Sequence, residues 1–191
     1  MKVLVDRLAL LAERHPKIKL YRGQGAMVVL KNMGKVTGGL DRQYQAFLTE
    51  TNGASVLDYC FLGFKNPELG LNLYDNIMEI WALDSLLAMK FWAFAGTSTG
   101  ESFGYLARKN AHGSHFIGLY RESQPETVTV IASSFEYFLA AFIDKVETLL
   151  ATGADTYWLP DDAWAVPNPA DTELASYLDA NGASHYPLDQ D

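Results

Sequence analysis

Residues 91–144 read FWAFAGTSTG ESFGYLARKN AHGSHFIGLY RESQPETVTV IASSFEYFLA AFID, and this stretch decides the fold. It supports two incompatible readings. Gly96-Thr97-Ser98-Thr99-Gly100 spells G-x-S-x-G, the pattern of a serine-hydrolase nucleophile elbow. In such an elbow a strand ends in a strained turn, and the following helix lends its N-terminal amides to an oxyanion hole. The flanks spell something else. Residues 91–95, 102–109, 115–121 and 127–132 are short runs rich in aromatic and β-branched residues, separated by Gly100-Glu101, residues 111–114 and residues 123–126. Separators that short imply antiparallel hairpins. Ser133 and Glu136 then have the spacing of a capping box, S-x-x-E, in which hydroxyl and carboxylate exchange bonds with the backbone of the first helical turn. Phe135, Phe138, Leu139, Phe142, Val146 and Leu149 continue as one apolar helical stripe, stopped by Gly153.

In that setting Ser98 reads as a turn residue. Ser102-Phe103-Gly104-Tyr105-Leu106 has the character of a strand where an elbow requires a helix, and the chain upstream lacks the β-α alternation of a parallel sheet. A chain order Ser, Asp, His can be completed with His185, but that histidine falls near a chain end expected to fray.

Working outward, Leu4, Leu8 and Leu11 recur at helical spacing, and His15-Pro16 ends that helix. Residues 21–35 mix glycines with the apolar run Ala26 to Leu30, which suits a strand. Residues 40–51 read as a helix with Tyr44, Phe47 and Leu48 on one face, and Asn52-Gly53 as its left-handed stop. Residues 56–64 suit a buried strand. From residue 72 to 89 a helical period returns through Leu73, Ile77, Ile80 and Trp81, with Leu86 and Leu87 leaving its end open. After residue 153 the composition shifts to Pro160, Pro167, Pro169 and scattered aspartates, anchored by Trp158 and Trp164, with a short helix over residues 171–182 that shows Leu174, Tyr177 and Leu178 on one side.

The bulk numbers bound these elements. A chain of 191 residues, 49% hydrophobic, supports one sizeable core and is short for two. With one cysteine no intrachain disulfide forms, no apolar run approaches the roughly 20 residues of a membrane helix, and the N-terminus lacks a small-residue cleavage site. The cytoplasm is the expected location. Net charge is −8, distributed as +6 over residues 1–40, −6 over 41–150 and −8 over 151–191. An acidic body and tail repel phosphate backbones, so nucleic acid is excluded in favour of a basic protein.

Other chemistry-bearing patterns fall short. Gly34-Lys35 is followed by Val36 where a phosphate loop needs Ser or Thr. His112 and His115 are three apart but lack companion ligands, so both are expected in a solvent-exposed turn, and Cys60 in an apolar strand is expected to be a small buried thiol. Phe91 and Trp92 alternate across a strand, so at most one should face the core. Asp155, Asp161 and Asp162 beside Trp158 and Trp164 combine steering charge with aromatic area, as protein-binding surfaces do. A tail that merely solvates the domain, or shields the basic N-terminal segment, is the alternative.

Leu40-Asp41-x-x-Tyr44-x-x-Phe47-Leu48 ending in Asn52-Gly53, the middle containing Phe94-Ala95-Gly96 and Gly100, and Val130-Ile131-Ala132-Ser133-Ser134-Phe135 leading into Phe138-Leu139 resemble the SUKH superfamily. These are cell-wall-assembly-regulator-like domains, many of them bacterial toxin-immunity proteins. The similarity covers about residues 38–148. It implies an α+β domain with helices packed on one curved, mainly antiparallel sheet, expected over residues 1–153, and the composition shift adds an acidic C-terminal extension over 154–191. It further implies a non-enzymatic binding role with no catalytic residues to carry over; no metal or cofactor is expected. The expected partner is a protein, a basic toxin in the immunity reading, bound by a monomer or weak homodimer through Glu101, Asp155, Trp158, Asp161, Asp162 and Trp164. The alternatives are a regulatory scaffold in cell-envelope or signalling processes and a small serine hydrolase using Ser98. The sequence departs from the family at Asp41, where proline is common, at Glu101, where aspartate is common, and in the added tail.

Overall fold

A computed structural model describes residues 1–34, 41–69, 72–153, 157–160, 162–181 and 184–188. Its centre is an open antiparallel sheet of eight strands, each paired with the next in chain order. The strands are β1 (Ile18–Arg22), β2 (Thr51–Val56), β3 (Tyr59–Phe61), β4 (Phe91–Thr97), β5 (Glu101–Lys109), β6 (His115–Arg121), β7 (Thr127–Ala132) and β8 (His185–Pro187). Among the described residues six α-helices accompany them: α1 (Lys2–Arg14), α2 (Ala26–Met33), α3 (Arg42–Glu50), α4 (Leu73–Leu83), α5 (Phe135–Ala151) and α6 (Thr172–Asn181). The class is α+β, with β4 to β7 and α5 where period-two runs and one long apolar stripe place them.

Both faces of this sheet are covered, which is unusual for antiparallel architecture. On one face α1, α3 and α5 bury Leu8, Tyr44, Phe47, Phe138 and Phe142 against Phe61, Trp92, Phe94, Phe103 and Tyr105. On the other, Leu87, Leu174, Tyr177, Tyr186 and Leu188 close over Phe91, Leu106, Phe116, Tyr120 and Val128. Phe91 and Trp92 are therefore both buried, one in each cluster, and the expectation that at most one faces a core is corrected. Helix α4 bridges the layers: Leu73 and Ile77 join the first cluster, Ile80 packs on the second, and the Trp81 indole donates to the Phe91 carbonyl at 2.7 Å.

Four local expectations change. Residues 26–33 form helix α2, not a strand, because an apolar run with Val29 and Met33 four apart packs equally well as a helical stripe. The single strand expected over residues 56–64 is a hairpin, β2 and β3, turning at Leu57-Asp58, with Leu57 held at φ 58. Asn52-Gly53 lies inside β2 and does not stop α3, which ends at extended Thr51. Gly53 has φ 91, and a Cβ there would meet the Phe61 carbonyl at 2.5 Å, so close strand approach explains this glycine. The cap of α5 is Ser134, whose Oγ accepts from the Tyr137 amide at 3.3 Å, while Ser133 is wholly buried one residue earlier.

The C-terminal segment is part of the sheet. Tyr186 pairs with Val128 across β8 and β7, so His185 sits in a strand and the expected fraying is corrected. Asp171 locks the segment down. Its buried carboxylate accepts the Ser133 amide at 2.8 Å through Oδ2 and the Leu174 amide at 3.0 Å through Oδ1, tying the β7–α5 junction to the first turn of α6. Asp171→Ala removes a helix cap and strands a buried N–H, so unfolding free energy should fall by about 1–3 kcal/mol in urea titrations. A change under about 0.5 kcal/mol would show that the contact is dispensable.

The basic N-terminal segment is partly neutralised, by the body and by its own Asp6. Arg7 of α1 donates to Asp144 at 2.8 Å and Glu147 at 2.7 Å on α5, Lys19 pairs with Glu68, and Lys2 reaches Asp6 at 3.2 Å. From the tail's described residues the segment receives an aromatic face, with the Lys17 ammonium 3.0 Å from the Tyr157 ring centroid.

Candidate functional site

The β4–β5 turn, the place of the G-x-S-x-G spelling, stands between two clefts. Gly100 takes φ 86, the left-handed conformation that closes the turn. Thr97 Oγ1 accepts the Glu101 amide at 3.2 Å and shares a hydrogen with Thr99 Oγ1 at 2.9 Å. Ser98 donates its hydroxyl to both oxygens of Asp58, at 3.0 and 2.9 Å, and its amide reaches the same carboxylate at 3.3 Å. Asp58 comes from the β2–β3 turn, so the bond staples two neighbouring hairpin tips.

This arrangement leaves Ser98 without the parts of a nucleophile elbow. A strand, β5, follows it where the oxyanion helix would begin. His185 lies on β8 and at least three strand spacings separate it from the turn, roughly 14 Å or more in an open sheet. His112 is exposed, 3.5 Å from Glu173, and His15 lies at the end of α1. His115 is not in an exposed turn, as its spacing suggested. It is buried at the start of β6, its Nδ1 within 2.6 Å of the Leu106 carbonyl, and loss of water holds its pKa below the ordinary value. Among the described residues no group of three or more His, Cys, Asp or Glu side chains has metal-binding geometry.

What the turn does gather is negative charge. On one side a cleft of about 440 Å³ is lined by Asp58, Cys60, Glu79, Leu83, Ser98 and Glu122 among others. Cys60 is half-buried there, and burial pushes its thiol pKa up, away from the reactive thiolate. On the other side a cleft of about 550 Å³ is formed by Gly100, Glu101, Arg121, Glu122, Gln124 and Trp158. The two share Gly100, Glu101 and Glu122. Among the described residues Arg121 is the sole cation lining either cleft, and its Nε donates to Glu101 at 2.8 Å across the directly opposed β5–β6 pair. Asp58 and Glu79 line the first cleft, and Glu122 lines both, as further carboxylates.

Of the residues singled out from sequence, Glu101 and Trp158 meet in the second cleft, and Trp158 is about half exposed at its edge. Trp164 goes elsewhere. It stacks on Phe138 with centroids 5.5 Å apart and meets Phe103 at 5.7 Å, so much of its aromatic area is spent within the molecule. Asp162 is exposed on the segment beside it, and Asp155 and Asp161 lie outside the described residues. Asp58, Glu79 and Glu122 were not expected, since they come from three separate elements and share no sequence motif. Tyr59 anchors the far wall: its hydroxyl accepts the Leu159 amide at 3.0 Å, and burial pushes its pKa up to about 12.

No known protein-family model matches this chain, and a search of curated proteins finds no match. No helix among the described residues is long and apolar enough to cross a membrane.

Proposed function

We propose that the chain is a non-enzymatic protein-binding module whose acidic hairpin tip docks a basic protein, most concretely an immunity protein that occludes a toxin. The observation that carries this reading is the convergence of Asp58, Glu79, Glu101 and Glu122 from four elements on two adjoining clefts, with Trp158 at the edge. A surface of this composition steers a cationic partner by charge and holds it by aromatic contact. The resemblance of residues 38–148 to SUKH domains points to the same class. Hydrolysis at Ser98 is disfavoured by its bond to Asp58 and by its distance from His185.

The test is co-expression with a toxin encoded beside the gene. Growth should be rescued by the natural chain and lost with Glu79→Lys/Glu122→Lys, a pair of surface changes expected to leave the thermal midpoint within a few degrees. The same pair should weaken binding by at least about tenfold, since reversing two interfacial charges costs more than about 1.4 kcal/mol. Continued killing by the toxin despite expression of the natural chain removes the immunity reading. Binding without rescue would move the module to a scaffold role.

A further inference from the structure

A different cleft, of about 520 Å³, opens between the outer face of α5 and the described residues 159–160 and 163–169 of the C-terminal segment, and it shares only Leu159 with the acidic clefts. Its volume falls within the roughly 300–1,000 Å³ typical of small-molecule sites. Its walls are apolar, formed by Ala141, Leu149, Ala163, Val166 and Pro167 over a floor of Trp164. A second hollow of about 220 Å³ continues under the same segment and shares Ile131, Trp164 and Pro167 with the first. The segment is thus a strap pinned at Trp164, with the apolar cleft on one side of that ring and, on the other, a smaller hollow lined in part by Arg121, Thr129 and Ser184.

The polar groups at the mouth are unequal. Asp144 is engaged by Arg7 at 2.8 Å. Lys145 holds its ammonium 5.1 Å from the Trp164 ring centroid, and among the described residues it has no carboxylate within ion-pair distance. An aromatic face attracts the cation but uses none of its three N–H donors in conventional hydrogen bonds. A hydrogen-bond acceptor arriving with a negative charge completes that environment.

We propose that this cleft binds an amphipathic monoanion, an extended apolar chain that lies over the Trp164 ring between the apolar walls while its carboxylate seats against Lys145. Titration of the full chain with decanoate below its micellar range, followed by calorimetry, should show saturable one-to-one binding. Decanol, with the same chain and no charge, should bind about tenfold more weakly, the worth of one charge-assisted hydrogen bond. Lys145→Met should erase the difference between acid and alcohol. Ala141→Trp, which fills the cleft from a half-buried helical position, should remove both. The proposal is overturned by absence of saturable decanoate binding, by equal affinities for acid and alcohol in the natural chain, or by undiminished binding in Ala141→Trp. Binding to phosphatidylglycerol vesicles without binding to monomeric decanoate overturns it as well, since a membrane surface would then be the ligand.

Discussion

Phe138→Ala is expected to lower the unfolding free energy by about 3–5 kcal/mol, the upper range for deleting a buried aromatic ring. Phe138 is fully buried on α5 and meets rings from three strands, the helix itself and the C-terminal segment. Its centroid lies 6.3 Å from Phe61, 5.4 Å from Phe94, 5.1 Å from Phe103, 6.0 Å from Phe135 and Phe142, and 5.5 Å from Trp164. Phe61, Phe94, Phe103 and Trp164 are fixed by separate elements and Phe135 and Phe142 by α5 itself, so none can move into the void without dragging its backbone, and the cavity term stays near its maximum. Aromatic pair terms of about 0.5–1.5 kcal/mol are lost in addition. Phe138→Leu keeps most of the volume and should cost markedly less. Urea unfolding with an unchanged slope would read the difference directly, whereas a loss under about 1.5 kcal/mol for the alanine variant would mean that the helical layer is plastic.

The same stretch shows why some of the fold was legible. Between residues 91 and 132 the alternation of side chains matches a pleated surface, and the separators are too short for a crossover, so pairing and direction follow from spacing alone. Helix α5 is legible because its stripe runs unbroken for about four turns. Misread elements lack such length. Residues 26–33 offer one apolar run that either period accommodates, and the β2–β3 turn uses Leu57 at positive φ where a sequence signal would need Gly or Asn. With serines at both 133 and 134, spacing to Glu136 favours the first, but burial of Ser133 against Asp171 gives the cap to the second. Strand β8 has three residues, too few for any period to be seen.

Legibility of the candidate site follows the same physics. Glu101 and Trp158 stand out by type and neighbourhood, and the fold brings them together across 57 positions of chain. Asp58, Glu79 and Glu122 join them only because the β2–β3 turn, the body of α4 and the end of β6 meet around the β4–β5 turn, which no local pattern encodes. Trp164 shows the converse: a tryptophan among prolines and aspartates has the composition of an interface, yet its ring is absorbed by Phe138 and Phe103.

Truncation after residue 153, at the boundary that composition suggests, should abolish cooperative folding. The removed segment supplies Leu159 to one core cluster and Leu174, Tyr177, Tyr186 and Leu188 to the other, all buried. At about 1.5–3 kcal/mol for burying each large apolar side chain, five of them match the ~5–15 kcal/mol by which a domain of this kind is stable. The remaining chain is also penalised. Phe91, Phe116, Tyr120 and Val128 would face water, and β7 would become an exposed apolar edge open to intermolecular pairing. Residues 1–153 are therefore expected to aggregate or to show a non-cooperative thermal transition, with dye-accessible apolar surface. Leu174→Ala in the full chain should show a graded form of the effect, about 2–5 kcal/mol. Should residues 1–153 instead unfold with a single sharp transition, the second cluster would be an accessory layer, and its contacts with the sheet would have to be offset by the entropy of ordering the tail.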